Sequence, residues 1–444
     1  MAGLQHRVRD GIHSFVEFDN VEKHLIDSQP FQRLRDVHQL AMCYQIYPGA
    51  THRRFEHSLG VMEVAGRIFD RVFAPTVLAE DVRDHLGDHL REDAKIYWRR
   101  VTRIAALLHD VGHLPFSHAA EDLLAPGWDH ERLTAELIRH SEIGQILGRE
   151  RPPIVPEDVV DLCWSPKSRR KVEAGAIDGL SPFKLILNEL ITGNTFGADR
   201  IDYLLRDSHH AGVAYGRFDP DRLIHGLRLI VAPEDEELAL ALDIGGIHAA
   251  EALLLARYFM YSQVYFHDVR RAYDIHLRDF LKGWLGTRFK DGLFPTDWQQ
   301  HQRLSDSHVQ VAMQEAAFTA GHPLHELARR LLCRCHYRTV YTLVAQHKEA
   351  NPNILNDVRD FLIGEYGDEA VRMHQYGPKS EVNDFRVVTR DRMSTTSYAV
   401  SEVIKNVPAF DIGFVFVEAR IASQAERRVR TYLRGSLGEP GGGN

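Results

Sequence analysis

Residues 103–118 read RIAALLHDVGHLPFSH. The apolar run IAALL ends in His109, Asp110, His113 and His118, and imidazoles and carboxylates are costly to bury unless something binds them. Two further donors sit in distant segments: His57 in RRFEHSLGV and Asp199 in ADRIDYLLRD. Two imidazoles and two carboxylates can hold one divalent cation with positions left for water or substrate, an open site of the catalytic kind. The His-Asp dipeptide alone carries little, since 26 His and 34 Asp in 444 positions give about two by chance. There are two, the other being His267-Asp268. On residue types alone, a helix capped by His109 and Asp110, with His57 and Asp199 exposed elsewhere, accounts for the pattern equally well.

The elements that must position these groups are helical. The spacing predicts a helix over 53–72 with Phe55, Leu59, Met62 and Ile68 on one side and His57 one turn in. A second helix, from about Asp93 to Asp110, is stopped by Gly112 and Pro115, which leaves His113 and His118 in a loop. A third begins near Gly197 and carries Asp199, Tyr203 and Asp207 at intervals of four. A long helix from about Ala249 to Leu285 aligns Arg257, Tyr261 and Tyr265. Past residue 300 the character changes: FRVVTR (385–390) and FDIGFVFVEAR (410–420) have strand composition, with a helix at 400–405 between them. The expected fold is mainly α, with a helical catalytic domain over 1–300, a smaller α+β lobe over 301–435 and a flexible tail over 436–444.

An apolar content of 44% supports a sizeable core, and a net charge of -8 with a pI near 6.4 argues against a polyanion-coating protein. Phosphorylated small molecules stay open as ligands. RRVTR (99–103), SRRK (168–171) and ERRVRTYLR (426–434) are candidate contacts for single-stranded nucleic acid, although solvated helix faces explain them more simply. Four cysteines make no disulfide framework and point to a reducing compartment. With no signal-like amino terminus and no run near 18 apolar residues, a cytoplasmic location without membrane association is expected.

Four stretches in order, QPFQRLRDVHQL (29–40), YPGATHRRFEHSLGV (47–61), LLHDVGHLPFSH (107–118) and DRIDYLLRDSHHAG (199–212), resemble the HD-domain superfamily of metal-dependent phosphohydrolases. The similarity is specifically to its deoxynucleoside triphosphate (dNTP) triphosphohydrolase branch and runs over about residues 5–275. It implies a helical HD-domain phosphohydrolase core in which His57, His109, Asp110 and Asp199 ligate one divalent metal ion (Mn2+, Mg2+, Fe2+ or Zn2+). It implies catalytic or phosphate-facing roles for His113, His118 and His130, with Glu131 beside them. Gln39, Arg54, Arg200, Tyr203, Asp207, Arg257 and Tyr265 then surround the substrate, Arg200 standing where the branch has a lysine. The implied reaction is attack of a metal-bound water on the α-phosphorus of a dNTP, with His118 or His130 protonating the leaving O5′, to give a deoxynucleoside and inorganic triphosphate. A homo-oligomer, dimer or tetramer, and an activating nucleotide at Asp27, Gln32 and Arg35 follow from the same resemblance. Two other readings stand beside it: a phosphodiesterase or nuclease on single-stranded DNA or RNA, and a nucleotide sensor without catalysis.

Overall fold

A computed structural model of the chain describes residues 5–172, 179–377 and 384–437. Most of the tail expected to be flexible, from residue 438 onward, lies outside them. The chain divides into two compact units that interleave along the sequence. One draws on 1–260, 285–309 and 383–407, the other on 261–284, 310–382 and 408–444.

The first unit is mainly helical and is built around α1 (Arg54–Val72) and α2 (Glu92–Leu108). Helix α1 buries Phe55, Leu59, Met62 and Ile68 as its periodicity requires, but it also buries two glycines on the same helix. A Cβ on Gly60 would meet Asp202 Oδ1 at 1.9 Å, and one on Gly66 would meet Arg103 at 2.7 Å. Bare backbone there lets polar side chains from two other helices press against α1. The last eight residues of α2, Val101 to Leu108, are all buried, so the helix ends in the core and not at the surface. His109 and Asp110 therefore emerge into a desolvated interior.

Helix α3 (His130–His140), capped by the Asp129 side chain on Arg132 N, crosses close to the end of α2. Gly112 makes the crossing feasible: a Cβ there would lie 2.3 Å from both His130 O and Thr134 N. Helix α4 (Ala198–Ala211) ends at Gly212, whose φ of 72° supplies the left-handed cap. The unit also holds an antiparallel hairpin, β1 (His6–Asp10) with β2 (Ser14–Phe18), ahead of the helices.

The long helix expected over 249–285 is instead two, α5 (Ile247–Met260) and α6 (Asp268–Arg288), with a π turn at Tyr261–Tyr265 between them. The wider turn removes the common face assigned to Arg257, Tyr261 and Tyr265. At the break, Val269 N donates to Asp268 Oδ1 at 2.7 Å, so a side chain takes a donor that an unbroken helix would satisfy with a carbonyl.

Two strands for which the sequence raised no expectation, β3 (Leu227–Val231) and β4 (Leu238–Asp243), pair antiparallel in the first unit. The stretch expected as a strand at 385–390 contains β7 (Arg386–Val388), and it runs parallel to β4 and pairs on its other side with β8 (Ser394–Thr396). The strand β9 (Ile412–Val417) belongs to a different sheet. It lies in the second unit between β5 (Arg338–Thr342) and β6 (Val371–Tyr376), antiparallel to both. The expected helix at 400–405 is two short turns, Ser397–Val400 and Glu402–Lys405.

In the second unit Val340, Val371, Val415 and Val417 pack against the helices Ile354–Tyr366 and Ala422–Leu437. His276 is fully buried here, stacked on Tyr337 and accepting the Tyr337 N–H at Nε2 over 3.0 Å. Burial, with Arg330, His336 and Arg372 close by, lowers its pKa from 6.5 to about 3. The folded state thus refuses a proton that the unfolded chain accepts, and stability falls as pH drops from 6.5 toward 3. Denaturant unfolding of wild type should lose about 1.4 kcal/mol per pH unit more than His276→Gln across that window. Equal slopes for the two proteins would rule this out.

Candidate metal centre

The last turn of α2, the first turns of α1 and α4, and the loop after α2 meet at one point. His57 Nε2 lies 3.1 Å from Asp199 Oδ1 and 3.6 Å from Asp110 Oδ2. His109 Nε2 lies 3.3 Å from Asp110 Oδ1 and 3.6 Å from Asp199 Oδ1. Donors sharing one ion at about 2.1 Å stand about 3–3.5 Å apart at its edges, so this spacing suits a single divalent cation.

Both imidazoles are held with Nε2 toward the centre. His109 Nδ1 donates to Ala106 O at 2.8 Å, and His57 Nδ1 faces Asp202 Oδ2 at 2.8 Å. Asp202 is fully buried and is itself gripped by His13 at 2.7 Å and by Arg206 through two bonds of 2.8 and 2.9 Å. Arg206 continues to Asp10 at 2.8 Å. Carboxylate partners of this kind fix the ring and raise its donor strength. Without an ion, burial alone would lower the pKa of His57, but Asp199, Asp202 and Asp110 overcome it and push it up to about 10. Burial would raise the pKa of Asp110, yet Arg54, His109 and His113 hold it far below the carboxylate range.

Arg54 ties the centre to the next group: Nη1 pairs with Asp110 Oδ2 and Nε donates to Ser117 Oγ at 2.7 Å. Beyond it, His113 and His130 stack at 3.9 Å, and His118 stands edge-on to both. Glu121 binds His130 Nδ1 and approaches His118 Nδ1 at 3.2 Å. Burial opposes charge on His130, but Glu121 outweighs it and raises the pKa to about 9. Burial, Arg54 and His130 push His113 well down. One imidazole of the stacked pair therefore carries a proton at neutral pH and its neighbour does not.

Other expected site residues fall in different places. Glu131 turns to Ser165, accepting from its N–H at 2.6 Å and its hydroxyl at 3.0 Å, and takes no part in the histidine cluster's hydrogen bonds. Arg200, beside Asp199, has Nε and Nη1 buried with no partner among the described residues. Gln39 Oε1 is likewise orphaned. Asp207 is buried two turns beyond Asp199 and pairs with His52 at 2.7 Å. Tyr203 lies half-buried between them on α4. Arg257 is buried near the end of α5. Tyr265 belongs to the second unit, edge-on to Tyr261. Of the three expected effector residues, Gln32 lines a cavity of about 460 Å³ with Arg33, Asp36 and Arg303. Asp27 pairs with Lys23 at the surface, and Arg35 lies 3.5 Å over the Phe55 ring.

Sequence reasoning missed Glu121, Asp202, His13 and Arg206. Glu121 carries a usable signal, three residues after His118 at the spacing of adjacent helical turns. Asp202 and Arg206 share α4 with Asp199 but read as ordinary helical charges, and His13 reaches the site from the hairpin at no fixed offset to it.

Residues 54–165 match the HD domain and 218–360 match the HD associated region. The chain thus carries an HD domain followed by an HD associated region. Asp199 falls between the two matched stretches. The uncharacterized protein YwfO of Bacillus subtilis is 34% identical over 275 residues, which covers 62% of this chain and 54% of that protein. Human deoxynucleoside triphosphate triphosphohydrolase SAMHD1 is 28% identical over 372 residues, covering 76% of this chain and 55% of its own length. The chain thus spans about half the length of these curated relatives. A solved structure of a hypothetical protein from Aquifex aeolicus superposes with a TM-score of 0.74 at 29% identity, over 96% of this chain and 99% of that one.

Removing the charge that orients His57 tests the centre. Asp202→Asn should weaken Mn2+ binding by about 10–100-fold in chelator competition. Unchanged affinity would mean that His57 is not a ligand.

Proposed function

We propose that the protein is a metal-dependent dNTP triphosphohydrolase. The observation that carries the reading is the grouping of His57, His109 and Asp199, with Asp110 within 3.6 Å of both imidazoles and paired with Arg54, while Arg200, next to Asp199 in the chain, keeps two buried donors without a partner among the described residues. Buried N–H donors without acceptors are costly, and a phosphate offers acceptors in the geometry a guanidinium needs. Similarity to a triphosphohydrolase named for dNTP substrates adds weight to that choice of anion.

His57, His109, Asp110 and Asp199 would hold a divalent cation, which when bound supplies Lewis-acid polarisation of a phosphoryl oxygen and a nucleophile at neutral pH. Arg54 and Arg200 bind and orient the phosphates against it. His130, kept charged through Nδ1 by Glu121, has Nε2 available to pass a proton to the departing O5′ oxygen, directly or by way of His118. The bond broken is that between the α-phosphorus and O5′. Water supplies the new oxygen on phosphorus, and the nucleoside leaves with the proton. Gln39, Tyr203 and Asp207 are assigned to the sugar. Gln32 and the cavity beside it are assigned to an activating nucleotide in a homo-oligomer. No described helix is long and apolar enough to cross a membrane.

The test is product analysis. Purified protein with Mn2+ or Mg2+ should turn each susceptible dNTP into deoxynucleoside and tripolyphosphate, read by phosphorus NMR. Asp110→Ala should abolish turnover, and Arg200→Ala should lower kcat/KM by about 10–100-fold, the value of charge-assisted hydrogen bonds. Shortened oligonucleotides in place of tripolyphosphate would identify a phosphodiesterase, and no turnover of any substrate a sensor.

A further inference from the structure

The loop between α2 and α3 leaves ordinary backbone at two successive residues. Phe116 and Ser117, neither of them glycine, have φ of 58° and 57°. An L-residue there crowds its own Cβ against the carbonyl, so such a pair persists only where its surroundings hold it.

The holder is Asp306, a fully buried residue of the first unit and the first residue of the helix Asp306–Phe318. Its Oδ1 accepts the Phe116 N–H at 2.7 Å, and its Oδ2 accepts the His38 N–H at 2.9 Å and faces His38 Nδ1. His38 then offers its carbonyl to Ser117 Oγ at 2.9 Å. Both turn residues are therefore tied to one Asp306–His38 pair. Arg33 grips the same loop upstream, donating through Nη2 to Val111 O at 2.7 Å and His113 O at 2.8 Å, and through Nη1 to Leu304 O.

What the turn sets is chemical. Ser117 Oγ accepts Arg54 Nε, the arginine paired with Asp110, and His118 is the next residue in the chain. We propose that Asp306 is a positioning residue for the hydrolysis: it holds Phe116 and Ser117 in the left-handed turn that aims Arg54 and carries His118, without touching substrate. The inference rests on the triphosphohydrolase reading above. With the anchor gone, the pair relaxes toward right-handed backbone, Ser117 leaves Arg54 and His118 moves. Arg200, on α4, is untouched, so substrate capture survives better than turnover.

Full-length, metal-loaded wild type, Asp306→Ala and Asp306→Asn are compared by kcat, KM, bound metal and amide hydrogen exchange. Asp306→Ala should lower kcat about 100-fold, the scale of an ångström's misplacement, with KM within about threefold and metal stoichiometry unchanged. Exchange should quicken in peptides from 111–123 and stay as in wild type over α1. Asp306→Asn keeps one acceptor for Phe116 N and should recover part of kcat. It carries the same test if the alanine variant does not fold. A kcat within threefold of wild type overturns the proposal. So does a loss of kcat that tracks loss of metal or faster exchange throughout the chain. An inactive wild type sinks the function proposed above instead, and the exchange pattern alone then decides whether Asp306 holds the turn.

Discussion

Two carboxylates and two imidazoles, all within 3.1–3.6 Å of a neighbour and buried except for the partly exposed Asp199, set an electrostatic problem that shapes much of the first unit. Asp110 and Asp199 repel each other across a poorly screening interior unless positive charge stands between them. A proton on His57 is one answer, and the strong pull of the surrounding carboxylates on that proton shows how large the demand is. A divalent ion is the better answer, since it satisfies all four donors at once. Arg54 pairs with Oδ2 of Asp110, the oxygen that faces His57, and so fixes that carboxylate against the centre.

The supporting shells follow from the same demand. His57 cannot present Nε2 inward unless Nδ1 has a partner, which requires Asp202. Asp202 cannot stay charged in the core without Arg206 and His13, and Arg206 in turn needs Asp10 at the end of the first strand. Gly60 leaves the space through which this chain of charges reaches α1. The amino-terminal hairpin is thus coupled to the candidate metal centre through three buried ion pairs, and losing one member of such a pair is strongly destabilising.

How much of this was legible in the sequence depends on whether the signal was local. An apolar helix ending in His109 and Asp110, with a glycine turn and two more histidines behind it, is a contiguous pattern, and the structure brings those groups together. The stripe Asp199, Tyr203, Asp207 was likewise carried by one helix. Asp202, one turn on from Asp199, sits on the same helix yet reads as an ordinary charged residue, because its partners His13 and His57 are 189 and 145 positions away. The strands β3 and β4 hid in aliphatic runs that suit a helix equally well. The π turn at Tyr261–Tyr265 is a local widening of the backbone that no periodicity registers. Glu131 shows the limit of adjacency, since it follows His130 in the chain while its carboxylate accepts from Ser165.

The two units exchange the chain five times between residues 260 and 408, and this has a biosynthetic consequence. A polypeptide emerging from the ribosome presents all four candidate ligands once α4 is out, yet the first compact unit still lacks two stretches, 285–309 and 383–407. Neither unit is a contiguous fragment, so no single truncation isolates either one. The nascent chain can acquire its ligands early but cannot close the buckle on the Phe116–Ser117 turn until Asp306 has been translated.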